Sequence, residues 1–402
     1  MRRDIARTIR RGTGVALAGT LAVAALVVPA APASADATIT ANEQTFYGYY
    51  RLDAIHSSGY TGEGVTIALV DGPINTQIPE LAGARIQSYS PCAVDSQDKS
   101  WDHGTVIAQV ISSPQFGVAP GANLRAYTLS FAGETTGSDC ALGQWGRGYS
   151  DLALLIEDAL NDGVDVITTS SSYPSDYEGM RWALARAIAS KVPVVACVGN
   201  DSTSNSTDWL PAWGGVVGVG AIETNGRPSD YQNWGRPLST AALARPLARS
   251  GVSQERGEWW GTSFASPVVA GSLALSMQRW PRATGNQIMQ GLARTGVGGN
   301  GGEWNQYTGY GALDIYAMLT TNPTSFPDEN PFMDKGTNTV PSRQDVQDYI
   351  DGVVDPRVVM NDNSYEYLGF DERLALSRDH DYPTHLGTSP RYHQKFQSQK
   401  KN

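Results

Sequence analysis

Val65-Thr66-Ile67-Ala68-Leu69-Val70-Asp71 is an apolar run that ends on a carboxylate, and the segments that follow it decide the architecture. Runs of the same kind recur at Val164 to Ile167, Val192 to Val198 and Val216 to Val219. Helical patterns separate them, at Thr105 to Ile111, Asp151 to Leu160 and Tyr177 to Ala189, and a further one spans Ser263 to Trp280. Strands that alternate with helices predict a parallel sheet covered on both faces, because parallel neighbours need a crossover connection and a helix usually supplies it. Ser150 and Gly163 bracket one helix, and Pro281 stops the last.

Chemistry concentrates at the last helix. Gly261-Thr262-Ser263-Phe264-Ala265-Ser266-Pro267-Val268-Val269-Ala270-Gly271 is a tight turn running directly into an apolar helix. Ser263 lies where the first helical N–H groups lack partners and the helix dipole is positive, a setting that favours negative charge beside a nucleophile. A serine hydroxyl needs a base. Of the five histidines, His380, His385 and His393 fall near the C-terminus and His56 lies in a polar segment, whereas His103 opens the apolar stretch Asp102-His103-Gly104-Thr105-Val106-Ile107-Ala108. The base in turn needs a carboxylate to fix its tautomer. Asp71 is placed for that role at the carboxyl end of a strand, where open α/β sheets put their sites.

These three segments, in the order Asp, His, Ser, resemble the motifs of the subtilisin-like serine peptidases. The resemblance runs from about Tyr50 to Leu319, and takes in Leu210-Pro211-Ala212-Trp213, Val217 to Ala221 and Gly309 to Asp314. It implies a three-layer α/β fold around a mostly parallel sheet of about seven strands, and endopeptidase activity through an acyl-enzyme. Asp71, His103 and Ser263 are then the catalytic triad, and Asn200, after Gly199, is the oxyanion donor. The aligned substrate-binding strand continues into Ser170, Ser171 and Ser172, followed by Tyr173. Ser172 and Tyr173 replace glycines of the family, and their bulk predicts a narrowed, selective pocket.

Two departures stand out. The family places Ser or Thr between the aspartate and its glycine, whereas this chain reads Asp71-Gly72-Pro73, which resembles subtilases that trim peptide precursors. Gln109 stands where the family has Gly, a change expected to alter helix packing. A second resemblance is to the mycosins, which also carry a leader and a short N-terminal extension but end in a membrane helix. Neither a metal nor any other cofactor is expected, since no acidic loop has convincing calcium-ligand spacing.

The N-terminal 35 residues have the three-part layout of a secretory signal peptide: five arginines, an apolar run from Val15 to Val28, and Ala33-Ser34-Ala35. The run is too short for a membrane span, and no later one is long enough. Export to the extracellular space is therefore expected. Cleavage after Ala35 leaves 25 basic and 39 acidic residues, a formal charge of −14 that disfavours nucleic acid as a partner and leaves a protein or peptide substrate. Of the three cysteines, Cys197 sits in an apolar strand and reads as a core residue, so Cys92 and Cys140 pair by elimination unless both stay reduced.

Residues 36–49 read as an N-terminal extension, 50–322 as the peptidase domain and 323–402 as a polar, largely irregular tail with Pro323, Pro327 and Pro331 at its start. Within the tail, Ser342 to Val354 has helical spacing and reads either as a helix that docks on a partner or as a frayed, solvated one. Two alternatives to hydrolysis remain open from sequence: an inactive binding protein on the same fold, and a ligase or cyclase in which an amine replaces water.

Overall fold

The computed structural model describes residues 37–351, apart from 143–146, 149–150, 171–176, 205–208, 244, 300–301 and 337–338. Seven strands form its main sheet: β1 (Thr66–Asp71), β2 (Ile86–Tyr89), β3 (Asn123–Thr128), β4 (Val166–Thr169), β5 (Val194–Cys197), β6 (Val217–Ile222) and β7 (Thr240–Leu243). They are parallel and lie in the order β7-β6-β5-β4-β1-β3-β2. Two short helices, α1 (Thr45–Tyr49) and α2 (Leu52–Ser57), precede the sheet. Interleaved with it are α3 (Asp98–Ser112), α4 (Leu152–Asn161) and α5 (Tyr177–Ala189), and after it come α6 (Ser266–Arg279), α7 (Gly285–Thr295) and α8 (Ile315–Thr320). An antiparallel hairpin, β8 (Leu247–Arg249) with β9 (Arg256–Glu258), stands apart from the sheet.

The pleat of β1 shows why three layers result. Successive side chains of a strand point to opposite faces. Ile67 and Leu69 pack with Val106, Ile107, Val110 and Ile111 of α3 and with Val268, Val269 and Leu273 of α6, while Ala68 and Val70 face Leu155 and Ile156 of α4 and Met180 and Leu184 of α5. Both faces of β1 are buried, so its sequence reads as a continuous apolar run without alternation. Strands β2, β3 and β7 lack that signature. Ser88 and Tyr89 at the edge are exposed, and the exposed Asn123 and half-buried Arg125 and Thr128 interrupt the apolar pattern of β3.

Two segments outside the sheet are held to it by specific contacts. The N-terminal extension is fastened to the body: Ile39 is fully buried and donates its N–H to Glu80 Oε1 at 3.0 Å, Phe46 is buried, and Leu243 N–H donates to the Tyr50 hydroxyl at 2.9 Å. The start of the expected irregular tail is also ordered. Gly214 and Gly215 donate backbone N–H groups to Val340 O and Phe332 O at 2.8 and 3.0 Å, and Asn330 Nδ2 donates to Gly215 O. Lys335 is buried with its ammonium on Pro237 O and Ser239 Oγ, and burial pushes its pKa down to about 7. A further helix, α9 (Arg343–Asp351), packs on α5, setting Tyr349 and Val346 against Trp182 and Ala185. Its first turn is held by Ser342, whose N–H and hydroxyl donate to Asp345 Oδ2. Composition alone conceals these contacts, because they are made by a few apolar residues spaced among many polar ones. The remainder, 352–402, lies outside the described residues, as does the whole of 1–36.

Three helix starts are displaced, and α3, read from Thr105, begins at Asp98 and so takes His103 into its second turn. Asp151, one residue after Ser150, caps α4 by accepting the Ala153 N–H at 3.0 Å. Ser263 lies in a single 3-10 turn, Thr262–Phe264, and α6 begins at Ser266. Pro267 suits the first turn of a helix, where its missing N–H costs nothing, and so favours a start just ahead of it. Cys92 and Cys140 form a disulfide, with an S–S distance of 2.01 Å, and Cys197 is a buried thiol that donates to Ser170 O at 3.4 Å.

Candidate active site

Asp71, Ser170 and Asn200 stand at or just beyond the carboxyl ends of β1, β4 and β5, three adjacent strands, so the sheet brings them to one edge. Residues 98–112 of α3 cross beside β1 and carry His103. His103 Nδ1 lies 2.7 Å from Asp71 Oδ1, which also accepts the Gly72 N–H at 2.7 Å. The Asp71 side chain is fully buried and that of His103 is 25% exposed, leaving the imidazole open to a substrate on one side. Burial opposes charge on the imidazole, but the Asp71 carboxylate, by its charge and its hydrogen bond, outweighs burial and holds the pKa above the ordinary histidine value.

Gly72 and Gly104 explain how closely these elements meet. A Cβ on Gly72 would come within 2.0 Å of Ser100 O, and one on Gly104 within 2.2 Å of Gly72 O. The loop after Asp71 therefore lies against the first turns of α3 with no space for a side chain, and the Ser or Thr expected from the family pattern at position 72 does not fit. Asp71 Oδ2 is buried and has no hydrogen-bond partner among the described residues.

The turn that carries Ser263 is fastened on three sides. Ser170 Oγ donates to Ser263 O at 2.8 Å, and Cys197 Sγ lies 3.9 Å from Ser263 Oγ. The ring of Phe264 is tilted against His103 with centroids 5.6 Å apart, which sets the histidine beside the Ser263 turn. Thr262 donates both its N–H and its hydroxyl to Asn200 Oδ1, at 2.8 and 3.0 Å, and accepts the Gly199 N–H at 3.1 Å. With its carbonyl oxygen so engaged, exposed Asn200 has its Nδ2 amide left as a donor. Gly199 is at φ +96°, and a Cβ there would overlap the Trp209 ring at 2.1 Å, so only glycine allows this approach.

Sequence reasoning missed how α3 is held. Gln109 is fully buried and forms three hydrogen bonds: Nε2 donates to Thr105 O and Arg249 O, and Oε1 accepts the Arg249 N–H at 2.9 Å. Asp102 Oδ1 accepts from Ser250 Oγ at 2.6 Å and Val252 N at 3.0 Å. The hairpin around β8 thus grips α3 on both sides of His103. A glutamine inside an apolar helix is the signal that pointed there. Ser171, Ser172 and Tyr173 lie outside the described residues, so the narrowed pocket has no structural account. Among the described residues, no group of three or more His, Cys, Asp or Glu is placed to hold a metal ion. No described helix is long and apolar enough to cross a membrane.

Comparison with known proteins finds relatives of the same fold. Subtilisin E of Bacillus subtilis (strain 168) is 30% identical over 276 residues, covering 66% of this chain and 68% of that protein. MycP1, a serine protease described as an essential component of the type VII (ESX-1) secretion system, superposes with a TM-score of 0.57 at 27% identity, covering 71% of this chain and 90% of that one. The prenylagaramide maturation protease PagA shares the fold, with a TM-score of 0.53 at 22% identity over 67% of this chain and 96% of that one. Residues 62–311 match the subtilase family, and the chain belongs to that family as a serine endopeptidase.

Proposed function

We propose that this chain is an exported processing endopeptidase in which Ser263 is the nucleophile, His103 its general base, Asp71 the residue that orients His103, and Asn200 the oxyanion donor. The observation that carries the reading is the 2.7 Å contact of His103 Nδ1 with buried Asp71, on a helix face packed against the Ser263 turn. Asp71 accepting at Nδ1 leaves Nε2 as the acceptor for the serine proton. As Ser263 Oγ attacks the substrate carbonyl carbon, its proton passes to His103. The resulting oxyanion takes a hydrogen bond from Asn200 Nδ2, and the imidazolium returns the proton to the leaving amine. Water repeats the sequence to release the acid. Export is supported by the leader at 1–35 and by the Cys92–Cys140 disulfide, which suits an oxidising compartment. Selective processing is supported by the bulk of Ser172 and Tyr173 and by relatives described as a maturation protease and a secretion-system protease. Docking of a partner through the tail at 323–402 is supported by its helix-spaced stretch Ser342 to Val354.

A fluorophosphonate probe tests the reading: the folded protein is expected to be labelled at Ser263, and an unlabelled folded protein would favour the inactive binding protein. Mass analysis of products from a peptide library separates hydrolysed from ligated peptides by one water.

Two smaller effects follow. Asn200→Ala should lower kcat by about 10² to 10³, or about 2.7–4 kcal/mol of transition-state stabilisation, with little change in KM. An equal rise in KM at unchanged kcat would place Asn200 in ground-state binding instead. In a pH profile of kcat/KM, activity requires neutral His103, so the acid limb should rise through a pKa above the ordinary ~6.5. In Asp71→Asn the residual limb should move below ~6.5, because burial then acts without the carboxylate.

A further inference from the structure

Trp260 is 61% exposed, although it lies only three residues before Ser263 and adjoins Gly261, whose α-carbon faces the Asn200 side-chain amide. It is not an isolated surface residue. Its ring rests on Tyr231, with centroids 5.2 Å apart and planes at 55°. Farther out, Trp234 and Tyr307 form a second tilted pair, 5.7 Å between centroids, and Tyr307 is 48% exposed. The segment carrying Tyr231 and Trp234 is fixed to the loop that carries Asn200: Ser202 N donates to Tyr231 O, Trp234 N to Thr203 O and Asn233 N to Gly199 O, each at 3.0 Å. The Asn233 side chain adds bonds from Asp201 N and Thr203 N. An exposed aromatic shelf is therefore held rigidly to the oxyanion donor.

Its side of the site follows from strand order. Ser170 extends β4, Asn200 follows β5, and Tyr231 lies beyond β6, so Trp260 and Tyr231 sit across Asn200 from Ser170. If the acyl half of a peptide pairs along the Ser170 extension, the half that leaves must pass over the β6 side. Building on the proposed peptidase reading, we infer that Trp260, backed by Tyr231, is a specificity-determining surface for the leaving portion of the substrate, and that it favours an aromatic side chain in the residue just after the scissile bond. Aromatic contacts of this kind contribute beyond their buried area, and a preformed platform loses little freedom on binding. The same surface receives an incoming amine during acyl transfer: the amine nitrogen bonds to the acyl carbon, the bond to Ser263 Oγ breaks, and the amine proton returns to the serine through His103.

The test uses the full chain and two paired peptides that differ only in Phe or Gly after the cleaved bond. Wild type is expected to prefer Phe by about tenfold in kcat/KM, and Trp260→Ala to reduce that ratio to near one, with Trp260→Phe retaining most of it. A ratio near one in wild type, or an unchanged ratio in a Trp260→Ala protein that melts like wild type, would overturn the inference. Partition of the wild-type acyl-enzyme between Phe-amide and Gly-amide gives a readout that needs no variant, and equal capture of the two would overturn it as well. A peptide anilide, which has no leaving peptide, separates the two layers of argument: failure of wild type to hydrolyse it would overturn the peptidase reading and this inference with it, whereas hydrolysis without Phe preference overturns the inference alone.

Discussion

Replacing Ser263 or His103 with alanine is expected to lower kcat/KM by about 10⁴ to 10⁶, and replacing both should be scarcely worse than replacing one. The magnitude is that of subtilisin triads in general; what this structure adds is the reason the two residues should act as a unit. Without Ser263 the base has no proton to take, and without His103 the hydroxyl is a poor nucleophile at neutral pH. Asp71 belongs to the same unit but should cost less when changed to Asn, because the imidazole keeps part of its packing against Phe264. Residual catalysis in all these variants is expected to come from the proposed donor Asn200 and from substrate binding. The check is a set of single and double variants assayed on one peptide, with folding followed by thermal melting. A folded His103→Ala protein that cleaves at near the normal rate contradicts the assignment of all three roles.

The parts of the molecule legible in the sequence share a physical cause. Strands β1, β4, β5 and β6 are covered on both faces, so their residues form unbroken apolar runs, and of the residues proposed for catalysis Asp71 and Asn200 fall at or just past the ends of such runs and Ser263 just ahead of a helix, whereas His103 lies in the second turn of α3. Strand β2 is largely exposed and β3 carries Asn123 and Arg125, and neither shows as an apolar run in the sequence. The turn into the last helix was legible around Ser263, yet its geometry, a 3-10 turn with α6 starting three residues later at Ser266, was not, because a shift of a few residues in helix start leaves little trace in hydrophobic periodicity. Long-range pairing was the least visible. Nothing near Gln109 in sequence reveals Arg249, 140 residues away, and nothing near Glu80 reveals it either.

That last pair carries the largest expected effect on stability. The Glu80 side chain is fully buried and that of Arg249 is 4% exposed, and they meet through two bonds, Nε to Oε2 at 2.7 Å and NH2 to Oε1 at 3.0 Å. Glu80 Oε1 also accepts from Ile39 N, and Arg249 NH1 donates to Gln254 O at 2.7 Å, so the pair links the N-terminal extension to the β8 hairpin that grips α3. Removing one partner leaves the other charge buried without compensation. Glu80→Ala is therefore expected to lower the unfolding free energy by about 3–5 kcal/mol, read from denaturant melts. Replacing both residues with apolar side chains of similar volume, as in Glu80→Leu with Arg249→Met, should recover much of that loss, since it removes the unpaired charge. The pH dependence has a definite sign. Burial alone would raise the Glu80 pKa, but the Arg249 guanidinium and the Ile39 N–H hold it below the usual carboxylate range. The contribution is thus fully present above the unfolded carboxylate pKa of ~4.3 and is lost as pH falls through the lower folded value. In Glu80→Ala that part of the acid sensitivity should disappear. A Glu80→Ala protein within about 1 kcal/mol of wild type would show that the pair contributes geometry without net stability, and the grip on α3 would then rest on Gln109 and Asp102 alone.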